Sequence, residues 1–131
     1  MNVYAQSFLS KLEDKALNYE VLKSEGAATV SVPYHQRRIQ FLFSENHVHL
    51  SVVCDPVPEA SRIRVVTACN KYNFTMRFLK LVVDQDDNLV ILGDAILRES
   101  SAGDECFFLL IRAAQTMDDM HMILGPICVY C

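Results

Sequence analysis

The sequence predicts an α+β fold: an antiparallel five-stranded sheet and three helices in the order α-β-β-β-α-β-β-α. Three observations carry that expectation. Apolar residues recur four apart near the N-terminus, strict apolar/polar alternation runs through residues 28–54, and Pro56 and Pro58 divide this meander from a second helical stretch and two short apolar runs. With 131 residues, 51% hydrophobic and 21% charged, the chain has the size and composition of one domain, taken as residues 1–131.

Taken in order, Tyr4, Phe8, Leu12 and Ala16, with Leu9 beside them, give the buried stripe of a first helix over residues 3–17. Asn2 is its candidate N-cap and Asn18 its candidate end. Lys23 to Gly26 reads as a turn before strand one, where Ala28, Val30 and Val32 alternate with Thr29 and Ser31. Ile39, Phe41 and Phe43 mark strand two. After the loop Ser44-Glu45-Asn46, Val48, Leu50, Val52 and Cys54 mark strand three. The first helix is the natural cover for the apolar face of these strands.

Proline ends a ladder and is tolerated in a first helical turn, so the second helix is expected from Glu59 to Tyr72. Its sheet-facing stripe is read as Ile63, Val66, Cys69 or Asn70, and Asn73, with Asn73 as a left-handed terminator and Asn70 satisfying backbone where the next strand departs. Strand four, Thr75 to Asp84, and strand five, Leu89 to Leu97, flank the turn-rich Gln85 to Asn88. Both strands are apolar on both faces. In strand five Val90, Leu92 and Ile96 share the second side with the single polar Asp94, so a second layer, such as another subunit, is expected there. Ser100 to Glu105 supply a capping serine and acidic first-turn residues for a third helix, whose stripe is Cys106, Leu109, Leu110, Ala113 and Met117. Phe107, Phe108 and Ile111 make its first half apolar nearly all round. Gly125-Pro126 ends it, and the apolar tail Ile127 to Cys131 is expected to pack against the body.

The helix end Ala68-Cys69-Asn70-Lys71-Tyr72-Asn73, the strands Arg77 to Val83 and Leu89 to Leu97, and an acidic position at Asp118 or Asp119 together resemble the YbjN family of bacterial proteins, whose fold is like that of the type III secretion chaperones. The likeness covers roughly residues 1–124; the tail PICVYC departs from it. The resemblance implies a compact, often dimeric domain among sensory transduction regulators or chaperone-like adaptors with no defined enzymatic activity.

The residues themselves point away from catalysis. The net charge of −4 disfavours nucleic-acid and anionic-membrane partners, although ten Lys/Arg face seven Asp/Glu in residues 1–80 and two face nine in 81–131. Arg37, Arg38, Arg62 and Arg64 lack the interleaved aromatics of a nucleic-acid platform. No run is long and apolar enough to span a membrane, and the amphipathic N-terminus is no export signal, so a cytoplasmic protein is expected. Five cysteines, an odd number, argue against a disulfide framework. His47-x-His49, with His35 nearby, and Cys128-x-x-Cys131 each supply only part of a metal set, and Asp84, Asp86 and Asp87 lack the glycine and glutamate of a calcium loop. No catalytic, cofactor-binding or metal residue is therefore assigned. The expected function is a non-catalytic adaptor or regulator acting through protein contacts as a homodimer, with Val90, Leu92, Ile96, Phe107, Phe108 and Ile111 as its partner surface. The alternative is a small metal-binding or ligand-sensing protein using His47/His49 or the C-terminal cysteines.

Overall fold

The computed structural model describes residues 2–24 and 27–125. Its elements are α1 (Val3–Asp14), β1 (Glu20–Ser24), β2 (Ala27–Tyr34), β3 (Arg37–Ser44), β4 (His47–Pro56), α2 (Arg62–Thr75), β5 (Leu79–Val83), β6 (Asn88–Ile96), α3 (Ala102–Asp118) and α4 (Met120–Leu124). The antiparallel sheet has the order β1-β2-β3-β4-β6-β5. From β4 the chain crosses through α2 to the far edge, lays down β5, and returns to thread β6 between β4 and β5.

Alternation decides which residues enter the core. Val30, Val32, Ile39, Phe41, Phe43, Val48, Leu50, Val52, Leu81, Leu89 and Ile91 all point to one face and are buried. Phe8 of α1 presses into this face, its ring centroid 4.5 Å from that of Phe41 and 6.1 Å from that of Phe43. Cys106, Leu109, Leu110 and Ala113 of α3 complete the layer beside it. Gly93 lies on the same face, where an added Cβ would come within 2.7 Å of Leu79 Cδ2.

Among the described residues the sheet has six strands and not five. The additional β1 pairs with β2 from Glu20↔Ser31 to Ser24↔Ala27, so the expected turn at Lys23 begins as strand; Glu25 and Gly26 lie outside the described residues. Only Val21 and the preceding Tyr19 pack against the core, and Leu22 is exposed, which is too little apolar alternation for a strand signal. The first helix ends earlier than Asn18. Ala16 takes a left-handed conformation at φ 56°, while Ala16 N–H donates to Glu13 O and Leu17 N–H to Leu12 O, the double bond of a Schellman end.

In the second helix the buried side is Val65, Cys69 and Tyr72, not the stripe that includes Ile63 and Asn70. Ile63 is 84% exposed and Asn70 also faces solvent. The helix has apolar residues on opposite sides, so periodicity alone leaves its rotation open. It also runs on to Thr75, which shortens the expected strand Thr75 to Asp84 to Leu79–Val83. The third helix breaks at Asp119, between α3 and α4; the tail Ile127 to Cys131 lies outside the described residues.

Asn73 does not end the helix in a left-handed conformation. Its side chain donates to Leu81 O at 2.7 Å and accepts from Leu81 N–H at 2.8 Å. One amide thus stands in for a neighbouring strand on the outer edge of β5. The backbone-satisfying role expected of Asn70 falls to Asn73. Asn73→Ala should cost about 1–3 kcal/mol in urea unfolding, because both Leu81 groups lose their partner, whereas Asn70→Ala should stay within about 0.5 kcal/mol. Phe8→Ala should cost about 3–5 kcal/mol by the same measurement, since it empties the centre of the helix–sheet contact.

Candidate partner-binding groove

A surface groove forms where β6 outruns β5. β4 pairs with β6 as far as His47↔Ile96, but the β5 ladder begins only at Leu79↔Gly93. The Leu97 N–H donates to Asn46 O at 2.7 Å. Peptide groups alternate sides along a strand, so those of Ile96 turn away from β4. On that side lies a groove of about 490 Å³ lined by Arg77, Phe78, Asp94, Ala95, Ile96, Asp104, Glu105, Phe108 and Leu109.

Its walls are unusually apolar for a surface. Ile96 is 75% exposed, and Phe78 and Phe108 meet edge to face with centroids 5.0 Å apart while remaining about half open to solvent. Acidic side chains also line it. Lys11 pairs with Asp104 at 2.8 Å and holds that carboxyl below its ordinary value, chiefly by hydrogen bonding. Glu105 accepts from Ser101 Oγ through Oε1 at 3.1 Å, and its other oxygen, Oε2, is buried without a hydrogen-bond partner.

The six residues expected to share a partner surface are distributed differently. Ile96 and Phe108 meet in the groove, with Phe78 added. Phe107 turns toward α1, where the ammonium groups of Lys11 and Lys15 lie 5.8 and 5.7 Å from its ring centre. Val90 is 5% exposed, between its register partners Val53 and Val82. Leu92 is half-buried between Ser51 and Lys80, and Ile111 is exposed outside the groove. Val90 is thus already buried within the single chain. Phe78 escaped notice because it read as an ordinary strand residue, and nothing in its spacing shows that β5 starts one residue later.

The histidines converge on an aspartate. His49 and Asp94 are cross-strand partners, with Nδ1 to Oδ1 at 2.9 Å, and His47 Nε2 reaches the same oxygen at 3.1 Å. His35 lies elsewhere, 3.7 Å from Asp118, whose carboxylate also accepts from Tyr34 Oη. Among the described residues no group of three or more His, Cys, Asp and Glu side chains is arranged to hold a metal ion. Cys128 and Cys131 lie outside them. The four arginines that lack a nucleic-acid platform's aromatics have separate partners: Arg37 with Asp55, Arg38 with Glu20, Arg62 with Asp87, and Arg64 with Leu124 O.

The buried thiols are inert by position. Burial pushes Cys106 up to about 12 and Cys54 to about 11, and raises Cys69 as well. Alkylation requires thiolate, so at pH 8 Cys54 and Cys106 should label roughly a hundredfold or more slower than a free cysteine until the chain unfolds or the pH approaches those values. Peptide-resolved mass spectrometry checks this.

Against known proteins, a family model described as "YbjN: Putative bacterial sensory transduction regulator" matches residues 9–121. The chain belongs to the YbjN family. No curated protein matches it. Among solved structures it is similar to the crystal structure of YbjN from E. coli, described as a "putative transcription regulator", with a TM-score of 0.59 and 13% identity over 92% of this chain and 88% of that one. At that identity the likeness concerns the fold. Among the described residues no helix is long and apolar enough to cross a membrane.

Proposed function

We propose that this YbjN-family chain is a non-catalytic regulatory adaptor that works by holding other proteins, as a cytoplasmic homodimer of the type III secretion chaperone kind. The observation that carries the proposal is the groove, where Phe78, Ile96 and Phe108 stay exposed together beside an unpaired stretch of strand. A monomeric surface rarely keeps three large apolar side chains in one concave patch without a use for them. Family membership favours a regulator over an enzyme.

The outer side of α2 supports the dimer. Ile63 and Phe74, 84% and 91% exposed, fall on one helical stripe with Thr67 and Asn70, opposite the buried Val65, Cys69 and Tyr72. A second copy packing antiparallel along this stripe would cover both.

Two experiments separate the parts. Phe74→Glu removes no buried contact, so sedimentation should give a folded monomer where the native chain gives a dimer; a native monomer at high micromolar concentration contradicts the dimer. In affinity capture from the native host with mass-spectrometric identification, a specific partner should be retained by the native chain and lost with Phe108→Asp. A partner that ignores Phe108→Asp places the interaction elsewhere.

A further inference from the structure

The groove also constrains the form of its occupant. Resting on the protein-binding proposal above, we propose that it takes an extended segment of a partner protein, which adds as a short strand at the open Ile96 end of β6 and brings a lysine or arginine to Glu105.

Three independent features converge on this chemistry. The first is backbone. Phe78 runs beside Asp94, and the slot beyond it, beside Ile96, is the place β5 would fill if it started about three residues earlier; with the Leu97 N–H bonded to Asn46 O, alternation turns the Ile96 N–H and C=O into that slot. An extended chain satisfies such groups through main-chain bonds, and alternate side chains then reach the walls. The other exposed side of β5 lacks this opportunity at Leu81, because Asn73 already holds both of its peptide groups.

The second is apolar area. The crossed rings of Phe78 and Phe108 and the side chain of Ile96 flank the slot, so apolar or β-branched residues of the incoming strand gain burial. The third is charge. Three carboxylates, Asp94, Asp104 and Glu105, line the groove against one guanidinium, Arg77. Asp94 has its histidines and Asp104 has Lys11, which leaves Glu105 Oε2, buried and unbonded, as the acceptor in search of a donor. A buried carboxylate oxygen without a donor is costly, and a cationic side chain is its strongest complement.

The test pans a phage-displayed random octapeptide library against the full 131-residue chain. The expected consensus is one basic residue among apolar and β-branched ones. An enriched peptide should bind Ile96→Pro at least tenfold more weakly than Ile96→Ala, because proline removes only the outward N–H and is tolerated at a strand edge. Glu105→Gln should weaken binding tenfold or more and abolish the preference for lysine over norleucine. Enrichment of acidic peptides, no enrichment, or equal binding by Ile96→Pro and Ile96→Ala overturns the proposal. So does conversion of the dimer to a monomer by Ile96→Pro, which would make a second copy the occupant. If the library fails while Phe108→Asp still releases a captured partner, the occupant is a folded surface and only the extended segment is wrong. If Phe108→Asp also changes nothing, the underlying protein-binding proposal fails with it.

Discussion

The structure depends on the pairing of β6. A strand placed inside a sheet must find partners for its peptide groups on both sides, because an unpaired buried N–H or C=O costs as much as a lost hydrogen bond. β6 has nine residues, and β4 serves one side from His47↔Ile96 to Pro56↔Asn88, with an irregularity between Val53 and Pro56. The five residues of β5 serve the other side only from Leu89 to Gly93. The groove follows from that difference in length. The outer edge of β5 is capped at Leu81 by Asn73 of α2, and the Ile96 end of β6 is left open beside α3.

The register of β4 against β6 explains the side-chain chemistry nearby. His47↔Ile96 and His49↔Asp94 are pairs whose backbones do not bond to each other, the close-approach positions of an antiparallel ladder. Two imidazoles on alternate residues therefore reach one carboxylate, and Asp94 is held at the mouth of the groove. Across the groove, α3 is fixed by Lys11 to Asp104 at its start and by Tyr34 to Asp118 at its end, so its Phe108 and Glu105 keep their places.

Much of this was legible from residue order. Period-two alternation placed β2, β3 and β4 because one of their faces is wet, and the apolar stripe placed α1 because Phe8 and Leu12 have no other use. β1 was hidden because an edge strand with one inward valine carries almost no pattern. The rotation of α2 was hidden for the opposite reason: Ile63 and Phe74 on one side and Val65 and Cys69 on the other give two stripes to choose between. The groove itself belongs to no local pattern. Ile96 and Phe108 were recognisable as surplus hydrophobics, but that they meet each other and Phe78, while Phe107 turns toward the lysines of α1, depends on where β5 begins.

A regulator that binds by completing its own sheet needs a backbone edge that is available before the partner arrives. The Ile96 N–H embodies that requirement, and its neighbour Leu97, bonded to Asn46, is an internal control one residue away. Residue-resolved amide hydrogen exchange of the free chain compares them directly. The Ile96 amide should exchange roughly a hundredfold or more faster than that of Leu97 and slow toward it when a bound segment occupies the groove. An Ile96 amide as protected as Leu97 in the free chain would mean that the edge is already closed, and would contradict the account.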